Sequence, residues 1–144
     1  MAKKHNTILL IDDDIIILDM GREILENEYN VYPVLSGKLA FELLKKVTPD
    51  LILLDIAMPE MDGYKVLKEL KSNPNTAGIP VIFLTSMDDR FNEYEGLKNG
   101  AVDYITKPFS VMVFRQRIEN QLRIHQEKKE LEKRNKELQD LVGR

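Results

Sequence analysis

Leu51-Ile52-Leu53-Leu54-Asp55 sets four apolar residues in a row and closes them with a carboxylate. An uninterrupted apolar run this short suits a strand covered on both faces, as in the middle of a parallel sheet. Two other runs have the same form. Ile8-Leu9-Leu10-Ile11 is followed by Asp12-Asp13-Asp14, and Val81-Ile82-Phe83-Leu84 by Thr85-Ser86. Val31-Tyr32-Pro33-Val34-Leu35 and Val102-Asp103-Tyr104-Ile105 are weaker strand candidates, the second leading into Thr106-Lys107-Pro108. Pro33 has no N–H to give to a ladder, which favours an edge position for its strand.

Between these runs the apolar residues take helical spacing. Ile17, Gly21, Ile24 and Leu25 share one face of a first helix, and Leu39, Leu43 and Leu44 one face of a second. Val66, Leu67 and Leu70 mark a third, and Phe91, Tyr94, Glu95 and Lys98 a polar fourth. A fifth begins near Ser110 and continues almost to the end of the chain. Strand and helix alternating five times call for an α/β fold with a parallel sheet and right-handed crossovers. There is no internal repeat and no low-complexity segment.

A chain of 144 residues fits one domain and can bury most of its apolar surface without staples. The absence of Cys removes disulfides and thiolate metal sites and suits a reducing compartment. No apolar run approaches the length of a membrane span. The first residues, Met1 to Thr7, lead directly into a strand rather than a signal-peptide cleavage site. A cytoplasmic protein with no membrane contact is expected. Residues 1–114 hold 12 Lys+Arg against 18 Asp+Glu, and residues 115–144 hold 9 against 6. The acidic body argues against direct nucleic-acid binding. The basic tail alternates in sign, as a solvated helix face does.

The polar residues fall where the strands end. In a parallel sheet all strand C-termini lie along one edge, and ligand sites of open α/β sheets lie there too. The carboxylates of Asp12, Asp13 and Asp55, the hydroxyl of Thr85 and the ammonium of Lys107 therefore converge. Each has a bland reading when taken alone. The acidic triplet caps a helix, Asp55 forms a turn, Thr85 caps the fourth helix, and Lys107-Pro108 is an ordinary trans peptide. Together they have the chemistry of a carboxyl-phosphate site. Clustered carboxylates want a hard cation such as Mg²⁺, an Asp can be the nucleophile, and Lys107 and Thr85 can hold phosphate oxygens.

At this point the sequence resembles the receiver domain of two-component response regulators, the CheY-like superfamily. The residues that carry the likeness are Asp12-Asp13, the stretch Asp55-Ile56-Ala57-Met58-Pro59-Glu60-Met61-Asp62-Gly63, Thr85-Ser86 and Lys107-Pro108-Phe109. The likeness runs from about Thr7 to about Arg123. It implies a three-layer α/β/α, flavodoxin-like fold with five strands in the order 2-1-3-4-5. It implies Asp55 as phosphoacceptor, with Mg²⁺ (or Mn²⁺) held by Asp12, Asp13, Asp55 and the Ala57 backbone carbonyl. Thr85 and Lys107 would contact the phosphoryl group, Lys107-Pro108 would be a cis peptide, and Thr85 with Tyr104 would form the switch. The implied donor is a histidine kinase or a phosphotransfer protein. The implied response is a remodelled face of fourth helix, fifth strand and fifth helix that controls a partner or a downstream output domain. Ala57 and Met87 stand where the family tunes the lifetime of the phosphoryl group.

Other functions fit less well. A hydrolase working through an aspartyl phosphate would want an acid/base Asp where this chain has Ala57. A flavodoxin-like electron carrier would need a phosphate-binding loop where Asp12-Asp13-Asp14 would repel one. A phosphorylation-independent interaction module on the same fold has no need of the intact set Asp12, Asp13, Asp55, Thr85 and Lys107. The chain turns over no separate substrate in the favoured reading and is not an enzyme in that sense.

From Ser110 onward there is no Pro, and the only Gly is Gly143. Ile124, Leu131 and Leu138 recur every seven residues. Taken as d positions, they make Phe114, Gln121, Lys128, Asn135 and Val142 the a positions. An Asn at a favours a parallel dimer in fixed register. The chain thus divides into an N-terminal arm over 1–6, a receiver domain over 7–123, and a helix extension over 124–144 that reads as a coiled-coil linker and a homodimer surface. His5 and His125 have no partner at ligand spacing.

Overall fold

The computed structural model describes residues 6–56, 62–86 and 90–143, of which 90–93 through the backbone only. Ten elements alternate: β1 (Asn6–Ile11), α1 (Ile15–Leu25), β2 (Tyr29–Val34), α2 (Gly37–Leu44), β3 (Leu51–Asp55), α3 (Gly63–Ser72), β4 (Val81–Ser86), α4 (Arg90–Lys98), β5 (Asp103–Lys107) and α5 (Val111–Val142). The strands form one parallel sheet in the order β2-β1-β3-β4-β5. β1 begins at Asn6, which pairs with Tyr29, so the arm read over 1–6 yields its last residue to the sheet. Pro33 lies on β2, an edge strand whose outer side has no ladder to supply.

The uninterrupted apolar runs split between the two faces of the sheet, as a two-residue side-chain period requires. Leu9, Ile11, Ile52, Leu54, Val81 and Phe83 form one core with Ala40 of α2 and Val66, Leu67 and Leu70 of α3. Ile8, Leu10, Leu51, Leu53, Ile82, Leu84 and Ile105 form the other with Leu18 and Leu25 of α1 and Phe114, Ile118 and Leu122 of α5. The result is three layers, helices on both sides of the sheet.

Local sequence sets the helix starts. Asp14, Ser36, Asp62 and Ser110 each accept a backbone N–H at the start of α1, α2, α3 and α5. The apolar faces of α1 and α2 differ in part from the spacing reading. Leu39 is half exposed, and Ala40 is the fully buried residue of α2, in one core cluster with Leu9, Ile11 and Ile52. α4 meets the sheet through Gly96. A Cβ there would come within 2.1 Å of the Phe83 ring, so only Gly lets the helix close over it. α5 is 32 residues long, about 48 Å at 1.5 Å per residue. Its last buried residue is Leu122. No described helix is long and apolar enough to cross a membrane.

Candidate functional site

Register brings the polar residues together. Ile11 pairs with Leu54, so Asp12 falls level with Asp55. Ser86 pairs with Lys107, and Thr85 with Thr106. Asp12, Asp55, Thr85 and Lys107 thus occupy the C-terminal edge of β1, β3, β4 and β5. Gly63 closes the site from the side. A Cβ on it would lie 2.6 Å from the backbone oxygen of Asp55 and the Cα of Ile56. The start of α3 can rest on the end of β3 only because residue 63 has no side chain.

The acidic triplet divides its labour. Asp14 is the N-cap of α1 and accepts the Ile16 N–H at 2.9 Å. Asp12 is fully buried, and its Oδ1 accepts the Asp14 N–H at 3.0 Å, which turns the chain out of the strand. Asp13, between them, is exposed. The Lys107 ammonium reaches into the same corner, 2.8 Å from Asp12 Oδ2 and 3.3 Å from Asp55 Oδ1. Burial acts to lower the lysine pKa, but the hydrogen bond to Asp12 and the charges of Asp55 and Asp12 outweigh it and raise the value. Lys107 is therefore a fixed cation at neutral pH. The Lys107 ammonium is the near neighbour of Asp12 Oδ2, a fully buried oxygen, and no other described group donates to it.

Oxygens of Asp12, Asp13 and Asp55 all lie within 4.8 Å of one another. Among the described residues, three carboxylates gather around one ammonium. That concentration of negative charge and the under-used Asp12 Oδ2 are what a hard divalent cation would satisfy, and the all-oxygen donor set suits Mg²⁺ or Mn²⁺. The residues present therefore fit the metal. Ala57, the expected carbonyl ligand, and Met87 lie outside the described residues.

Thr85 is buried, and its hydroxyl donates to the Ser86 carbonyl at the long distance of 3.4 Å. A bond this weak leaves the hydroxyl free to turn to a better acceptor. The Lys107-Pro108 peptide is cis. Tyr104 is half-buried on β5, in register with Phe83 of β4. Its ring lies 5.1 Å from the Arg117 guanidinium, a cation–π contact. Arg117 of α5 also donates to the Tyr104 carbonyl and pairs with Asp103 at 3.0 Å. Arg117 was not legible as a site residue, because its signal is only an Asp and an Arg fourteen residues apart.

The family model of the response regulator receiver domain matches residues 8–119. A Vibrio cholerae protein named "Probable cyclic di-GMP phosphodiesterase" is 43% identical over 119 residues, 81% of this chain and 26% of its own length. The response regulator PleD of Caulobacter vibrioides is 38% identical over 113 residues, 74% of this chain and 24% of its own. The chain thus spans about a quarter of each. Among solved structures, the signal receiver domain of a signal transduction histidine kinase from Syntrophus aciditrophicus superposes with a TM-score of 0.74 at 36% identity. That match covers 82% of this chain and 90% of the other.

Proposed function

The chain belongs to the response regulator receiver domain family, and on that premise we propose that it is a phosphorylation switch that accepts a phosphoryl group on Asp55. The observation that carries this reading is the Lys107 ammonium held between Asp12 and Asp55, beside a third carboxylate and a buried hydroxyl. A carboxylate oxygen of Asp55 attacks phosphorus, and the bond from phosphorus to its donor atom breaks. With a phosphohistidine donor, the P–N electron pair leaves on the imidazole. Lys107 neutralises one phosphoryl oxygen, and the Thr85 hydroxyl turns from the Ser86 carbonyl to another. Asp12, Asp13 and Asp55, with the Ala57 carbonyl, would hold Mg²⁺ or Mn²⁺, which when bound offsets the charge that gathers as phosphate meets carboxylate.

The donor is a histidine kinase or a phosphotransfer protein, and the setting is cytoplasmic, without direct contact to nucleic acid or membrane. When Thr85 moves, the space beside it opens to Tyr104, which lies on the neighbouring strand two residues before Thr106, the register partner of Thr85. The face of α4, β5 and α5 then takes a second packing that a partner or an output domain reads. This is a shift between two populations, biased by contacts that only the phosphorylated state makes. No separate substrate is turned over.

The test is chemical. Full-length chain treated with Mg²⁺ and acetyl phosphate should gain label that hydroxylamine removes, since that reagent cleaves acyl phosphates and spares phosphoesters. Label that survives hydroxylamine, or that forms equally well in excess EDTA, contradicts the reading. Folded protein that takes up neither Mg²⁺ nor label would instead be a phosphorylation-independent module.

A further inference from the structure

Beyond Leu122 no residue of the last helix is buried by the described residues. Residues 123–142 are exposed at every position but His125, which is half-buried. Twenty residues of helix reach about 30 Å past the domain. A polar, solitary helix of that length is marginal in water, yet this one carries an apolar stripe. Ile124, Leu131 and Leu138 are 45%, 61% and 58% exposed, spaced by sevens, and Val142 ends the row at 83%. Seven residues before Ile124 the same stripe reaches Arg117, the residue that holds Tyr104 and Asp103. The stripe therefore lies on the flank of α5 that faces β5.

We propose that this stripe is the surface on which a second copy of the chain packs, as a parallel, in-register, two-stranded coiled coil. The stripe is complementary to itself. In parallel register Ile124, Leu131 and Leu138 each meet their own kind, and the two Asn135 amides can pair oxygen to nitrogen. The two Lys128 ammoniums would repel. Glu127 at the flanking g position sets a carboxylate of the second copy beside each Lys128 and offsets that repulsion, while the like-charged g–e′ pair of Glu127 with Glu132 is exposed and costs little. Antiparallel packing would gain a pairing of Glu127 with Arg134. It would also set Lys128 against Leu131 and Asn135 against Ile124. Exposed ion pairs contribute little, whereas a buried polar group facing an apolar one loses its water with nothing in return. Layer matching therefore decides for the parallel form. Since Arg117 stands at the head of the stripe and on Tyr104, dimer strength reports on the state of the site; that clause alone rests on the phosphorylation reading.

The chain has no Cys, so single-cysteine variants are unambiguous. Leu138→Cys lies on the stripe and Asp140→Cys on the outer face. Both positions are exposed and remote from the core, so folding is not at stake. On mild oxidation of the full chain, Leu138→Cys should give disulfide-linked dimer in at least about tenfold higher yield than Asp140→Cys, because only facing d positions approach within disulfide reach. The parent chain should sediment as a dimer at about 50 micromolar, as a micromolar Kd requires. A monomer there, or equal yields from the two variants, overturns the proposal. Disulfide formed only between Ile124→Cys and Asn135→Cys in a mixture overturns the parallel orientation. Repeating the sedimentation with Mg²⁺ and beryllium fluoride, a phosphoryl mimic, separates the two readings. A dimer that ignores the mimic supports the stripe and counts against the switch.

Discussion

Asp12 and Asp55 are both buried and share one ammonium, a costly arrangement for a protein that only needed a stable core. Asp55→Asn removes a like charge and should raise stability in Mg²⁺-free buffer by about 1 kcal/mol, read as a shift in the urea midpoint. The gain should shrink as Mg²⁺ is added, because the parent binds the ion better. A variant less stable than the parent in EDTA contradicts the charge accounting. His125 gives a separate test. Burial and the charge of Lys129 lower its pKa, and Asp50 opposes them. A histidine with a depressed folded pKa contributes stability above its unfolded value, and that stability is lost as pH falls through the folded one. The parent should therefore lose more stability than His125→Gln between pH 7 and the acid side of that window. Equal slopes would contradict it. At this scale the sequence was legible where a residue ends a strand: Asp12, Asp55, Thr85 and Lys107 are placed by the sheet. Arg117 was not, since its partners Asp103 and Tyr104 come from another element and no short motif links them.

Elements meet the site through close approaches. Gly63 lets α3 rest on the end of β3, and Gly63→Ala drives a Cβ into backbone 2.6 Å away. Backbone cannot swing aside as a side chain can, so a loss of about 2 kcal/mol or more is expected in chemical denaturation. No loss would mean that α3 sits further out. Arg117 joins α5 to β5 through a ring face, a carbonyl and a carboxylate. Arg117→Met keeps much of the packing and removes the charge. Phosphoryl uptake on Asp55 should stay close to that of the parent, while the NMR signals of Tyr104 should no longer differ between the free and beryllofluoride-treated protein as they do in the parent. Unaltered Tyr104 behaviour would show that Arg117 is only a surface ion pair. Helix existence was readable from spacing. The depth of each helix was not. Ala40, rather than Leu39, is buried on α2, and Gly96 sits against Phe83 on α4, because the gap between helix and sheet is fixed by the facing layer.

The whole molecule is an acidic body with a basic-leaning helical stalk. The order β2-β1-β3-β4-β5 is what the family likeness implied, while the short apolar runs gave a parallel α/β sheet with right-handed crossovers and Pro33 an edge position for its strand. The uncovered length of α5 was foreshadowed by its missing Pro and Gly. A second copy packing there was an expectation from the heptad of Ile124, Leu131 and Leu138, and a heptad on one chain is half of such an interface. A chain ended after Arg123 keeps every buried residue of α5. It should keep the urea midpoint of the full chain to within about 0.5 kcal/mol and lose the concentration-dependent mass change in sedimentation. Unfolding on truncation would assign the stalk to the domain core. The most direct measurement is intact mass after incubation with Mg²⁺ and acetyl phosphate, with Asp55→Asn beside the parent. One added phosphoryl group on the parent, none on the variant and none in EDTA is the expected result. A phosphoryl group on Asp55→Asn, or a parent that binds Mg²⁺ and takes up none from either acetyl phosphate or a phosphohistidine donor, would contradict Asp55 as the acceptor.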